Sequence, residues 1–214
     1  MSPEYFDELD CSARKTGEVI DRHEAHRTGA WHGAFHCLII GELRGRGYGL
    51  FQKRSMKKKI APGKFDVSVG GHYSRGEDAT TAGPREIKEE LGIDTRFTDL
   101  MPIGRRIFVY CFTPEVRECE FQDVFFLPRN IRPEELTLQP EELDGIIEIG
   151  VDQGISLLSR AVPHAEVPFH RLDGRRETLK VSPDDFVPSL DNYYLKLLLL
   201  ARRFFGGDRE LLLI

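Results

Sequence analysis

The sequence predicts an α/β fold on three observations. A β-branched strand at residues 66–69 passes through a glycine pair and a loop into an acidic helical run that closes at Gly92. Apolar strand runs joined by turn residues stand on both sides of that unit, at residues 35–53 and 105–128. Two more helical stretches, residues 151–161 and 190–205, follow in the last third. At 214 residues the chain holds one full core with a modest surplus. The expectation is one body over residues 1–162 with an appendage over 163–214, packed on that body or at a dimer contact.

Composition narrows the class. Hydrophobic residues make up 40% of the chain and charged residues 30%, and a net charge of -5 gives no electrostatic reason for general nucleic-acid binding. Any anionic substrate must therefore be drawn in locally. Cys11, Cys37, Cys111 and Cys119 show no C-x-x-C spacing, which argues against a zinc ribbon or a disulfide framework and fits reduced thiols in a cytoplasm. The acidic N-terminus lacks an apolar core, and the longest apolar run, residues 197–201, is too short to cross a bilayer. A cytoplasmic protein that engages neither membrane nor nucleic acid is expected.

Taken in order, residues 1–29 read as a polar hairpin or arm, with Thr16 and Gly17 as the turn between Tyr5-Phe6 and Val19-Ile20. His26 and His32 follow, then His36 inside the apolar strand 34–40, where a histidine packs more often than it ligates. Residues 35–43 return through Arg44, Gly45, Arg46 and Gly47 to residues 48–53 as a hairpin. Residues 53–59 then place five cations in seven positions, one loop before the acidic helix. Cations there suit the oxygens of a diphosphate that a metal leaves uncovered.

Glu86, Glu89 and Glu90 stand at i, i+3 and i+4, so a helix gathers their carboxylates on one face. Such a run is commonly a solvated face, but the glycine turn before it and the glycine cap after it fix a unit. Three like charges call for a counter-cation, and oxygen ligands on a rigid helix suit Mg²⁺ or Mn²⁺. A proline beyond the first helical turn costs about 3 kcal/mol. Pro84 after Gly83 therefore predicts a helix that begins at one of these residues, or kinks there.

Beyond the helix, residues 105–112 and 118–128 read as strands joined at Thr113, Pro114 and Glu115, with Glu118 and Glu120 on one face. A short strand within 140–149 and a helix over 151–161 follow. Residues 163–188 are proline-rich and charged, and the helix over 190–205 ends at Gly206-Gly207. Leu195, Leu198 and Leu199 on that helix suit a core stripe or a homodimer seam equally.

Gly71, Glu77, Arg85, Glu86, Ile87, Glu89, Glu90, Gly92 and Ile93 fill every defined position of G-x5-E-x7-R-E-U-x-E-E-x-G-U, with U aliphatic. This string resembles the Nudix box. Residues 22–128 further resemble the isopentenyl-diphosphate-isomerase-like branch of that superfamily, through Arg22-x3-His26, Gly29-x2-His32, Arg54-Ser55, Pro62-Gly63, Ser68-x2-Gly71-His72 and Glu118-x-Glu120. The resemblance implies an α/β/α sandwich with a mixed sheet, here with a C-terminal helical extension. It also implies a Mg²⁺- or Mn²⁺-dependent hydrolase that cleaves, by metal-activated water, the diphosphate linkage of a nucleoside diphosphate joined to another moiety or of a similar organic diphosphate.

Carried onto this chain, the implied metal ligands are Glu86, Glu89, Glu90, Glu120 and the Gly71 carbonyl. Arg85 joins the box glutamates in the catalytic group and holds Glu89, while Glu77 braces the loop. Arg54 and Lys58 would contact the diphosphate. Two other readings attach to the same residues. Isomerases of this branch carry a cysteine where this chain has Gly70 and hold metal by histidines and a glutamate pair, which His26, His32, His72, Glu118 and Glu120 match or nearly match. A nucleotide-binding member without turnover would follow if Pro84 misaimed the acidic face.

Overall fold

The computed structural model describes residues 4–208, 210 and 212–214. Strand β3 (His32–Leu43) is the central element, and its sequence explains the layering. Successive side chains on a strand face opposite ways. Leu38 and Ile40 accordingly enter one hydrophobic core and Phe35, Cys37 and Ile39 the other, which is why the strand reads as a continuous apolar run.

β3 forms a hairpin with β4 (Arg46–Arg54) across Arg44 and Gly45, both at positive φ. That is a tight two-residue turn, so Arg46 and Gly47, expected in the turn, already belong to the returning strand. β3 also pairs in parallel with β8 (Val116–Pro128) and antiparallel with the short β6 (Val69–His72). β7 (Met101–Thr113) forms the edge beside β8. On the other side β4 pairs with β5 (Phe65–Asp66) and with β9 (Leu143–Gly150). β10 (Ala165–Arg171) and β11 (Arg176–Val181) complete a nine-stranded mixed sheet.

Helices cover both faces. α2 (Ala79–Leu91) packs Ile87 and Leu91 into one core. α3 (Val151–Leu158) and α4 (Tyr193–Phe205) put Leu157, Leu197, Leu198 and Ala201 into the other. This is the expected α/β/α sandwich with a mixed sheet. Residues 163–214 supply two of its strands and α4. No helix among the described residues is long and apolar enough to cross a membrane.

Three local expectations are corrected. The N-terminal hairpin exists as β1 (Tyr5–Leu9) and β2 (Lys15–Asp21), but Leu9 pairs with Lys15, so the turn precedes Thr16-Gly17 and these two lie in β2. Asp10 organises that turn by accepting the backbone N–H groups of Ser12 and Arg14. The acidic helix begins at Ala79, four residues before Gly83, because Asp78 caps it: Asp78 accepts from Thr80 N at 2.9 Å and forms a capping box with Thr81. Pro84 thus lies inside the helix, which continues to Gly92 in the left-handed conformation at φ 71. α3 ends at Leu158, short of the expected residue 161.

Candidate active site

β6 divides the site in two, because its neighbouring residues Gly71 and His72 face opposite ways. Gly71 faces the Nudix-box helix. A Cβ built there would lie 2.2 Å from the Glu86 carboxyl carbon, so glycine alone admits that carboxylate against the strand. Glu86 is largely buried, and burial pushes its carboxyl up to about 7. One turn on, Glu90 is buried and accepts a hydrogen bond from Gln52 Nε2 at 3.1 Å. Burial and the Glu86 charge push Glu90 well above the usual carboxylate range.

Arg85 clamps this group. Its Nε donates to Glu77 Oε1 at 2.9 Å and Nη2 to Glu77 Oε2 at 2.7 Å, while Nη1 lies 2.9 Å from Glu86 and donates to Glu89 at 3.0 Å. Glu77 in turn accepts from Ser74 N at 2.9 Å, bracing the loop. The Glu89 side chain is 59% exposed and stands at the rim. Glu86 and Glu90 offer hard oxygen donors, and two buried carboxylates of like charge are relieved by a hard cation.

His72 faces the other way, onto a second group. The parallel register sets His32 opposite Glu120, and the antiparallel one sets Ala34 opposite His72, so His32, His72 and Glu120 share a face. His72 Nε2 lies 3.0 Å from Glu120 Oε1, and His32 Nε2 lies 3.6 Å from the same oxygen. His26 arrives from the short helix α1 (Arg22–Thr28), capped by Asp21 and Gly29, with Nε2 3.8 Å from Glu118. One ligand atom from each of His26, His32, His72 and Glu118 falls within 4.8 Å of the others.

The electrostatics of this second group fit a cation that accepts imidazole. His26 Nε2, His32 Nε2 and both Glu118 oxygens are buried with no hydrogen-bond partner. Burial lowers His26 to about 3 and His72 to about 4, keeping both rings in the neutral form that ligates. Burial and the adjacent Glu120 charge push Glu118 up to about 10. Burial alone would raise Glu120 too, but His32 and His72 hold it well below the usual range. Phe6, fully buried, stacks on His32 with ring centroids 4.8 Å apart and lies tilted against His72 at 4.9 Å.

Glu120 was expected beside the box glutamates, and its contacts are instead with the histidines and Gln122. Arg54 donates to the Ile60 carbonyl at 3.0 and 3.1 Å and to Asp66 at 3.3 Å, and Lys58 bonds Glu142. Both cations act on Glu90, drawing its carboxyl back down. Gln52, Gln122 and Phe6 carried no signal in the sequence: nothing local ties residue 52 to residue 90, or residue 6 to residue 72. His36, expected to pack within its strand, is buried with Nδ1 3.1 Å from the Tyr193 hydroxyl.

Comparison with known proteins gives the family and supports the fold. An uncharacterized Nudix hydrolase of Clostridium acetobutylicum is 34% identical over 205 residues, covering 94% of this chain and 98% of the relative. The isopentenyl-diphosphate Delta-isomerase of Salmonella heidelberg is 34% identical over 104 residues, covering 48% of this chain and 54% of the isomerase. The crystal structure of DR0079 from Deinococcus radiodurans superposes with a TM-score of 0.54 at 22% identity, covering 74% of this chain and 88% of the other, which speaks for the fold. With the NUDIX domain model matching residues 30–172 as well, the chain belongs to the NUDIX domain family, among its Nudix hydrolases.

Proposed function

We propose that this Nudix hydrolase cleaves the diphosphate linkage of a nucleoside diphosphate joined to another moiety, with Glu86, Glu89 and Glu90 as its working carboxylates. The observation that carries the reading is the buried pair Glu86 and Glu90, with Glu86 set against the side-chain-free edge of Gly71 and held by Arg85. Those two carboxylates and the Gly71 carbonyl would hold Mg²⁺ or Mn²⁺, with Glu89 available from the rim. When bound, the ion supplies positive charge to the diphosphate oxygens and lowers the pKa of the attacking water. Arg85 keeps Glu86 and Glu89 oriented, Glu77 keeps Arg85 in place, and one of the three glutamates accepts the water's proton. Arg54 and Lys58 contact the phosphates, exchanging the Ile60 carbonyl and Glu142 for substrate oxygens. The four free thiols suit a cytoplasmic setting.

A second reading, isomerisation of isopentenyl diphosphate, is favoured by the convergence of His26, His32, His72, Glu118 and Glu120. Against it stands Gly70, which offers no acid group at the position where the isomerases carry a thiol. Product chromatography separates the two. A panel of sugar nucleotides, dinucleoside polyphosphates, nucleoside di- and triphosphates, thiamine diphosphate and isopentenyl diphosphate is incubated at fixed Mg²⁺ with wild type and Glu90→Gln. Cleavage that disappears in Glu90→Gln supports hydrolysis and names the substrate class. Dimethylallyl diphosphate from isopentenyl diphosphate, with no hydrolysis anywhere, supports the second reading instead.

A further inference from the structure

The Glu120 carboxylate is the far end of a buried polar chain that begins in the C-terminal segment. Just before α4, Asp191 accepts two bonds from the Arg106 guanidinium, from Nε and Nη2, both at 2.9 Å, and Ser189 Oγ accepts from Nη2 at 3.2 Å. Arg106 Nη1 donates to Gln122 Oε1 at 2.9 Å, and Gln122 Nε2 donates to Glu120 Oε2 at 2.5 Å. The other oxygen, Oε1, is the one that faces His72 and His32. Sheet register assembles the chain: β7 sets Arg106 opposite Gln122, and two residues along β8 brings Glu120 onto the same face.

The order of the links gives them a direction. A side-chain amide has one accepting and one donating end, whereas a guanidinium only donates. With Arg106 on the Gln122 oxygen, the NH₂ group must face Glu120; a reversed amide would set oxygen against carboxylate. Two aromatic rings help hold Arg106 in place, its guanidinium lying 4.5 Å from the Phe108 ring centroid and 4.0 Å from that of Tyr193. In this arginine–aspartate pair the arginine is buried and the aspartate half-buried, so lost hydration of the guanidinium offsets much of the attraction. The pair's position one amide away from a ligand carboxylate supplies a different use.

We propose that Arg106, acting through Gln122, is a positioning residue that holds Glu120 toward His32 and His72 as a metal ligand, and that Asp191 and Ser189 thereby make the C-terminal segment part of that site. The inference rests on reading the histidine–glutamate group as a metal centre. Co²⁺ titrated into the metal-free full chain and into His72→Ala tests it by visible absorption, the part of the signal that His72→Ala removes being the one that reports this centre. Outer partners of this kind change metal affinity by about 10- to 100-fold. Gln122→Leu and Arg106→Met should each weaken Co²⁺ binding by that order, and the double variant should be no weaker than the worse single, because both act through one contact. Thermal unfolding in parallel identifies the folded variants, and Gln122→Leu, which keeps the Arg106–Asp191 pair, carries the test if Arg106→Met does not fold. Co²⁺ binding that His72→Ala abolishes but folded Gln122→Leu leaves at wild-type affinity overturns the relay and spares the centre. Losses that multiply in the double variant overturn transmission through Gln122. A wild type that shows no Co²⁺ signal dependent on His72 overturns centre and relay together.

Discussion

A methyl group added at Gly71 would sit 2.2 Å from the Glu86 carboxyl carbon, and the obstacle is the free end of a side chain rather than backbone. Gly71→Ala should therefore keep the fold, with a melting temperature within a few degrees of wild type, while Glu86 rotates out of place. A displacement of about 1 Å in a catalytic group costs on the order of 100-fold in rate, and that is the expected fall in kcat. Glu86 also makes a prediction about pH. Its carboxyl rises from 4.5 to about 7 on folding, so between those values the folded chain binds more protons than the unfolded one. Stability due to this group is therefore full below about pH 4.5 and lost as pH rises through 7, by on the order of 3 kcal/mol. In chelator, denaturant titrations at pH 5 and pH 8 should differ in that sense, and Glu86→Gln should narrow the gap; a gap unchanged by the substitution would show that other groups set it. At this scale the acidic spacing made the box residues legible. Glu120 was legible by spacing as a carboxylate but not by its company, which depends on which strand lies alongside; only the isomerase-branch resemblance grouped it with the histidines it meets.

At the scale of the element, α2 shows how a local signal can mislead. Gly83-Pro84 reads as a helix start, yet the start is four residues earlier, signalled by Asp78 with Thr81 three positions on. The glycine has a tertiary reason that no local rule contains: a Cβ at Gly83 would lie 2.7 Å from the Phe35 ring, so its absence lets α2 close onto β3. Gly83→Ala should consequently destabilise the protein by about 1–3 kcal/mol through overpacking, although alanine is the better helix former. Thermal or denaturant unfolding reads this directly. A more stable variant would mean that Phe35 yields and that propensity, not approach distance, governs the site.

Across the whole molecule, the α/β class and the placing of the box were legible because each unit is contiguous, whereas the role of residues 163–214 was not, since it consists of long-range contacts. β10 joins the sheet through β9, and Tyr193, Leu197, Leu198, Ala201 and Phe204 of α4 lie in one of the two cores. Removing residues 189–214 should leave a chain with no cooperative thermal transition, since burying each large apolar side chain contributes about 1.5–3 kcal/mol and several are lost together. A soluble truncated protein that melts cooperatively would refute this. The β1–β2 hairpin has a different long-range consequence. It is pinned across the molecule by Arg75 N donating to the Tyr5 carbonyl at 2.8 Å and Gly76 N to Asp7 at 3.0 Å, and it presses Phe6 onto the histidines. An ion held by those histidines would have Phe6 across part of its path to solvent. Phe6→Ala should accordingly speed extraction of Co²⁺ by a chelator in stopped flow far more than it weakens equilibrium binding. That result would make the N-terminal arm a clock on metal traffic, setting how long an occupant stays.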